Sequence, residues 1–141
     1  MKSIQILLVE DNEGDILLTT QALISCKITN TLKVVNDGQE ALDFVFKKGI
    51  YSNEITPDLI LLDVNLPKKN GHEVLYKIKA DNKFKHIPII MLTTSSSIID
   101  VKKAYSNYAN CYITKPVEPH DFMKAVSEIE NFWINVVELP Q

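Results

Sequence analysis

Three carboxylates, a hydroxyl and an ammonium occupy equivalent places in this 141-residue chain, each just past a short apolar run. Glu10 and Asp11 follow Ile6–Val9, Asp63 follows Leu59–Leu62, Thr93 follows Ile89–Leu92, and Thr114-Lys115-Pro116 follows Cys111–Ile113. Carboxylates brought together repel one another and resist joint ionisation, unless a divalent cation or a neighbouring lysine relieves them. An oxygen-rich site with a few carboxylates and open positions suits Mg2+, which keeps several waters and shares them with phosphate oxygens. Lys115 adds a flexible point charge for the same phosphate, and Thr93 a hydroxyl able to donate to a phosphoryl oxygen. The set reads as a place where a carboxylate accepts a phosphoryl group while metal and lysine spread the charge. Asp63 is the candidate nucleophile: it directly follows a fully apolar strand that would hold it rigidly, and carboxylates are known to form acyl phosphates. Any one acid after a strand is more often a helix cap or a solvated loop residue; the chemistry rests on the whole set.

Convergence of these groups requires the apolar runs to lie side by side and point the same way. Strand-sized runs occur at Ile4–Val9, Leu32–Val35, Leu59–Leu62, Ile87–Leu92 and Cys111–Ile113, and the segments between them space their apolar residues as helices do. Asp37 with Glu40, and Asn70 with Glu73, resemble capping boxes at helix starts. Leu42, Val45 and Phe46 form one helical face, and Val74, Leu75 and Ile78 another. Ile98, Val101, Ala104 and Tyr108 form a third stripe behind Ser97 as cap; Pro119 suits a first helical position, ahead of Phe122, Ala125, Val126, Ile129 and Trp133. Strands alternating with helices predict an α/β fold, a (βα)5 doubly wound parallel five-stranded sheet covered on both faces. The first, third and fourth runs are apolar enough to be buried parallel strands. In such sheets functional groups gather at the carboxyl ends of the strands, near the point where strand order reverses.

Composition narrows the classes. With 45% hydrophobic and 23% charged residues the chain is expected to fold, as one domain over 1–141 with a core over about 4–132 and a C-terminal helical extension over about 132–141. A net charge of −3 provides no basic field, so nucleic acid is not an expected partner. No apolar run approaches the roughly 20 residues of a membrane span, and no leader is evident at the start, so a cytoplasmic protein is expected. Cys26 and Cys111, far apart and without a C-x-x-C, fit free thiols in a reducing compartment. His72, His86 and His120 lack zinc-ligand spacing and are expected to be solvated surface residues, and Ser95–Ser97 a loop and cap.

The segments LLVEDN (7–12), ILLDVNLPKKNG (60–71), IIMLTTS (89–95) and YITKP (112–116), in this order and spacing, resemble the response-regulator receiver domain of two-component signalling. The resemblance spans Ile4 to about Phe132 and implies a flavodoxin-like sheet of strand order 2-1-3-4-5. It implies that Asp63 is the phosphoacceptor, that Glu10 and Asp11 bind Mg2+ as an acid pair with the Asn65 carbonyl as a further ligand, and that Lys115 pairs with the phosphoryl group. Thr93 takes the place of the switch hydroxyl, and the Lys115–Pro116 bond is expected to be cis. Tyr112 stands at the aromatic switch position; an ordinary strand tyrosine with a wet hydroxyl is the other reading. Glu10 departs from the aspartate common at the first acid position, reaching one methylene further. A narrower resemblance, carried by LPKKNG, the Lys47–Pro57 connection and the terminal FW-x-x-x-V-x-L-P, is to the small regulators paired with bacterial and cyanobacterial phytochrome kinases.

The expected activity is phosphotransfer from a histidine-kinase phosphohistidine to Asp63, followed by self-catalysed hydrolysis, in a protein that is otherwise not an enzyme. With Gln141 as the last residue, output is expected through protein contact. Phe132, Trp133 and Val136 offer an apolar surface for a homodimer or partner, unless Phe132 and Trp133 fold back on their own domain. Three rival readings fit the residues less well. An aspartate-nucleophile phosphohydrolase of D-x-D type would want a second carboxylate where Asn65 stands, and a flavodoxin-like flavin module would want a hydroxyl- and glycine-rich loop where Glu10 and Asp11 stand. A receiver that has lost its chemistry would not keep the acidic set.

Overall fold

The computed structural model describes residues 3–24, 30–115 and 118–129. Five strands and five helices alternate: β1 (Ile4–Val9), α1 (Glu13–Ile24), β2 (Asn30–Val35), α2 (Gly38–Val45), β3 (Leu59–Leu62), α3 (Gly71–Lys79), β4 (Ile89–Thr93), α4 (Ile98–Ser106), β5 (Cys111–Thr114) and α5 (Pro119–Ile129). A short 3-10 turn at Gly49–Tyr51 interrupts the long connection from α2 to β3. All strand pairs are parallel and the sheet order is β2-β1-β3-β4-β5, as the resemblance implies. Pro116, Phe132, Trp133, Val136 and Cys26 lie outside the described residues, so the cis-bond and interface expectations are not addressed by the fold.

Every residue of β3 and β4 is buried, the pattern of parallel strands covered on both faces. Alternating side chains divide the sheet's two cores. Leu7, Val9, Ile60, Leu62, Ile89 and Met91 face α2 and α3, while Ile6, Leu8, Leu59, Leu61, Ile90 and Leu92 face α1 and α5. Each such side chain contributes roughly 1.5–3 kcal/mol by leaving water. That burial makes register expensive to change, because a one-residue slip would turn each apolar side chain to the opposite face.

The helix starts obey local chemistry. At α3 the Asn70 side chain accepts from the Glu73 N–H and Glu73 reaches back to the Asn70 N–H, a complete capping box. At α2 only half of the expected box forms: Asp37 accepts from the Glu40 N–H, while Glu40 turns to the N–H of Asn36 at 3.1 Å. Ser97 caps α4 through the Asp100 N–H. At the far end of α3, Lys79 Nζ donates to the carbonyl of Ile87 (2.7 Å) and to Asn110 Oδ1 (3.1 Å), tying the helix to the starts of β4 and β5.

One expected element face is corrected. Of the α4 stripe, only Ala104 is buried, whereas Ile98 is 72% and Tyr108 75% exposed. Tyr108 falls beyond the end of α4, in a left-handed turn at φ 69°, so helical spacing does not extend to it. Helix α4 therefore has little apolar anchorage on the sheet.

Candidate functional site

Register alone brings the acidic set together. Val9 lies opposite Leu62 and Leu62 opposite Met91, so Glu10 and Asp63 leave adjacent strands side by side at one rim. Thr93 lies opposite Thr114, which delivers Lys115 to the same rim. Backbone bonds extend the ladder by a residue: Glu10 N–H to Val35 O at 3.0 Å, Asp63 N–H to Val9 O at 3.2 Å and Lys115 N–H to Thr93 O at 2.7 Å. The strand order reverses between β1 and β3, so the carboxylates sit at the crevice where open α/β sheets bind ligands.

Carboxylate oxygens of Glu10, Asp11 and Asp63 lie within 4.8 Å of one another. Glu10 is only 2% exposed, and its Oε2 accepts from the N–H groups of Asp11 (3.1 Å) and Asn12 (3.2 Å), which turns the carboxylate inward. Asp63 is buried; its Oδ1 accepts the Asn65 N–H at 3.1 Å. Lys115 reaches the cluster from β5, donating to Glu10 Oε1, to Asp15 Oδ2 at 2.9 Å and to Asp63 Oδ2 at 3.1 Å. Thr93 is fully buried, and its Oγ1 accepts the Ser95 N–H at 3.3 Å.

The charges respond to this packing. Burial pushes the Glu10 carboxyl up to about 7, with Asp63 adding to the push and the Lys115 hydrogen bond pulling back. Burial alone would lower the Lys115 pKa, but its bonds to Glu10 and Asp15 and the charges of Asp63 and Glu10 outweigh that and raise it. The lysine stays cationic and is shared among three carboxylates. Three convergent oxygen donors, one of them the exposed Asp11, make a donor set that fits a hard divalent cation. A cleft of about 460 Å3 opens beside it, lined by Asp11, Asn65, Leu66, Asn70, His72 and Asp100 among others. A second cleft of about 330 Å3, against Gln5, Thr31 and Lys33, lies toward the opposite ends of the strands and contains none of the acidic set.

Glycine at position 71 lets α3 start against the site, because a Cβ there would fall 2.1 Å from the Asp63 carbonyl oxygen. Gly38 does the same for the 66–70 turn, where a Cβ would meet the Lys69 carbonyl at 1.8 Å. Lys68, at φ 64°, completes that turn and pairs with Asp37 at 3.5 Å.

All of Glu10, Asp11, Asp63 and Lys115 come together as their positions in the sequence predict. Asn65 sits beside Asp63 through its backbone, and Thr93 at the adjacent strand end. Tyr112 departs from the wet-hydroxyl reading: its OH donates to the Ser95 carbonyl at 2.8 Å. His72 departs from the surface reading. It is 5% exposed, and its Nε2 lies 2.9 Å from Asp100 Oδ1; His86 and His120 are exposed as expected. Sequence reasoning also missed Asp15 and Asn36. Asp15 lies in the first turn of α1, from which it reaches Lys115. Asn36 Nδ2 donates to the Glu10 carbonyl at 3.1 Å, and its N–H bonds Glu40, which in turn receives the Tyr51 hydroxyl at 2.9 Å. No local pattern announces that brace.

A doubly wound sheet with an acidic rim, a lysine from the last strand and a buried threonine defines a receiver. The chain belongs to the response regulator receiver domain family, whose profile matches residues 6–127. Response regulator Rcp1 of Synechocystis sp. (strain ATCC 27184 / PCC 6803 / Kazusa) is 44% identical over 135 residues, covering 96% of this chain and 92% of that protein. Among solved structures, the phosphorylated cyanobacterial phytochrome response regulator RcpA superposes with a TM-score of 0.97 at 42% identity, covering 99% of this chain and all of that one (100%). The Mn(2+)-bound form of Rcp1 superposes with a TM-score of 0.96 at 43% identity, covering 98% of this chain and 99% of that one. In this chain Glu10, Asp11 and Asp63 form the one carboxylate group among the described residues that could hold such a cation. Among the described residues no helix is long and apolar enough to cross a membrane.

Proposed function

We propose that Asp63 accepts a phosphoryl group from the phosphohistidine of a sensor histidine kinase, and that Glu10, Asp11, Asp63 and the Asn65 carbonyl hold Mg2+ for the transfer. The observation that carries this is the convergence of three carboxylates within 4.8 Å, with Lys115 Nζ 3.1 Å from Asp63 Oδ2. Bound Mg2+ supplies charge neutralisation at the phosphoryl oxygens. Positioning falls to the chain: the Asn65 N–H and Lys115 hold the Asp63 carboxylate, whose oxygen attacks phosphorus as the bond to the histidine nitrogen breaks. Lys115 and Thr93 then pair with the new phosphoryl oxygens, and those contacts, absent before transfer, can shift the protein between two states. Tyr112 and the face formed by α4, β5 and α5 pass the change to a downstream protein. Water later cleaves the acyl phosphate without a second protein. The chemistry of this reading is confined to self-catalysed phosphotransfer and autodephosphorylation.

The likeness to Rcp1 and RcpA supports a phytochrome-type kinase as donor, acting in the cytoplasm. Self-association through Phe132, Trp133 and Val136 belongs to the same reading and rests on the sequence. A phytochrome-type kinase, autophosphorylated with labelled ATP and mixed with the purified chain, is expected to pass its label to wild type and not to Asp63→Asn. Label that stays on the kinase with both proteins would contradict the assignment of the donor, and label appearing on Asp63→Asn would contradict the acceptor.

A further inference from the structure

We propose that the cleft between the starts of β1 and β2 and the long α2–β3 connection binds a free apolar amino acid. Lys33 takes its carboxylate, Glu54 its ammonium, and Phe44 stands against its side chain. The cleft shares no lining residue with the acidic rim, so the proposal stands apart from the phosphoacceptor reading of Asp63.

Strand register lays the floor. Gln5 lies opposite Thr31 and Leu7 opposite Lys33, so these four residues share the sheet face that α2 covers. Helix α2 has eight residues and runs roughly 12 Å. Strands β1 and β2 have six residues each and run roughly 20 Å. The helix is too short to cover the strand starts, and the connection covers them instead through Asn53, Glu54, Ile55 and Pro57. The space between floor and roof is about 330 Å3, near the lower bound of small-molecule sites.

The roof is held in place by its own bonds. Lys47 adopts a left-handed backbone at φ 58°, uncommon for a residue with a side chain, and its Nζ donates to the Glu54 carbonyl at 2.6 Å. Tyr51 donates its hydroxyl to Glu40 at 2.9 Å and sets its ring 5.4 Å from that of Phe44. Where the connection rejoins the sheet, the Gln5 N–H donates to Asp58 Oδ2 at 2.9 Å and the Asp58 N–H to the Gln5 carbonyl at 2.7 Å. A ligand therefore meets walls already in position, and little ordering opposes its binding.

The lining selects the ligand. Lys33 and Glu54 carry opposite charges on one cleft, yet among the described residues neither side chain has a partner and no ion pair joins them. A molecule bearing both charges can form a charge-assisted hydrogen bond with each. A simple anion would face the Glu54 carboxylate unpaired, and a simple cation would face Lys33. Between the two charges, Phe44, Ile55 and Pro57 offer apolar surface to a bulky side chain.

The test titrates L-phenylalanine into the full chain, followed by calorimetry and amide NMR. Saturable binding is expected near about 1 mM, the affinity of a small ligand at ordinary efficiency. The largest shifts are expected at Gln5, Thr31, Lys33 and Asn53. Lys33 is exposed and Glu54 half-buried, so Lys33→Met and Glu54→Gln leave the core intact. Each is expected to weaken binding about tenfold, the loss of one charge-assisted bond. N-acetyl-L-phenylalanine, without the ammonium, and phenethylamine, without the carboxylate, are expected to bind wild type about tenfold more weakly for the same reason. Excess chelator is expected to change nothing. No saturation at the solubility limit of the probe, equal binding by both variants, equal binding of the two analogues, or largest shifts at the acidic rim would each overturn the site. None of those results would touch the role of Asp63.

Discussion

Lys115 sets the electrostatics of the rim. It is the shared counter-ion of Glu10, Asp15 and Asp63, and it is itself buried. Removing one partner of a buried charge cluster leaves the others uncompensated, at a cost of about 3–5 kcal/mol. Lys115→Ala is therefore expected to lose stability of that order in chelator and to regain part of it in Mg2+, with a larger gain than wild type shows. Urea unfolding with and without Mg2+ measures both; an equal Mg2+ increment in the two proteins would contradict the shared-counter-ion account. At this scale the sequence was readable wherever a functional group directly ended an apolar run, as Glu10, Asp63 and Lys115 do. It was unreadable where a contact depends on a partner distant in the chain. His72 looks like any polar residue on a helix until α4 brings Asp100 to it, and Asn36 looks like a loop residue until Glu10 turns its carbonyl that way.

The elements transmit these placements through close contacts. Gly71 starts α3 against the Asp63 carbonyl, so Gly71→Ala forces backbone apart where the 2.1 Å approach leaves no room. Overpacking of this kind costs about 1–3 kcal/mol, and the urea midpoint is expected to fall accordingly; an unchanged midpoint would show that the turn gives way freely. The link from α3 to α4 has a pH signature. The Asp100 carboxyl titrates below its ordinary value of 3.8, because Ser95 and His72 bond its anion. A carboxyl more acidic in the folded than in the unfolded chain contributes stability that is full above the unfolded value and is lost as pH falls through the folded one. The stability advantage of wild type over Asp100→Asn is thus expected to be largest above pH 3.8 and to shrink below it. An advantage that grew with acid would reverse the sign of the account. The buried strands and α3 were legible because their apolar periods match their burial. Helix α4 was misjudged because Ile98 and Tyr108 match the helical period without facing the sheet, and only tertiary contacts decide which side of a short helix is inside.

At the scale of the molecule, two separate cores clamp five parallel strands so that residues far apart in the chain end at one rim. The topology was legible in the alternation of runs, and the strand order through the family resemblance; the bracing around the rim emerged only from the folded arrangement. What the fold achieves is a buried carboxylate, Asp63, and a buried hydroxyl, Thr93, at the ends of adjacent strands on one rim. The most direct test of the central claim is mass spectrometry of the intact chain and its peptides after incubation with acetyl phosphate. One added phosphoryl group is expected, on the peptide containing Asp63, in Mg2+ but not in excess chelator, and not in Asp63→Asn. Equal phosphorylation in chelator, or phosphate carried by another residue of the wild-type chain, would contradict it.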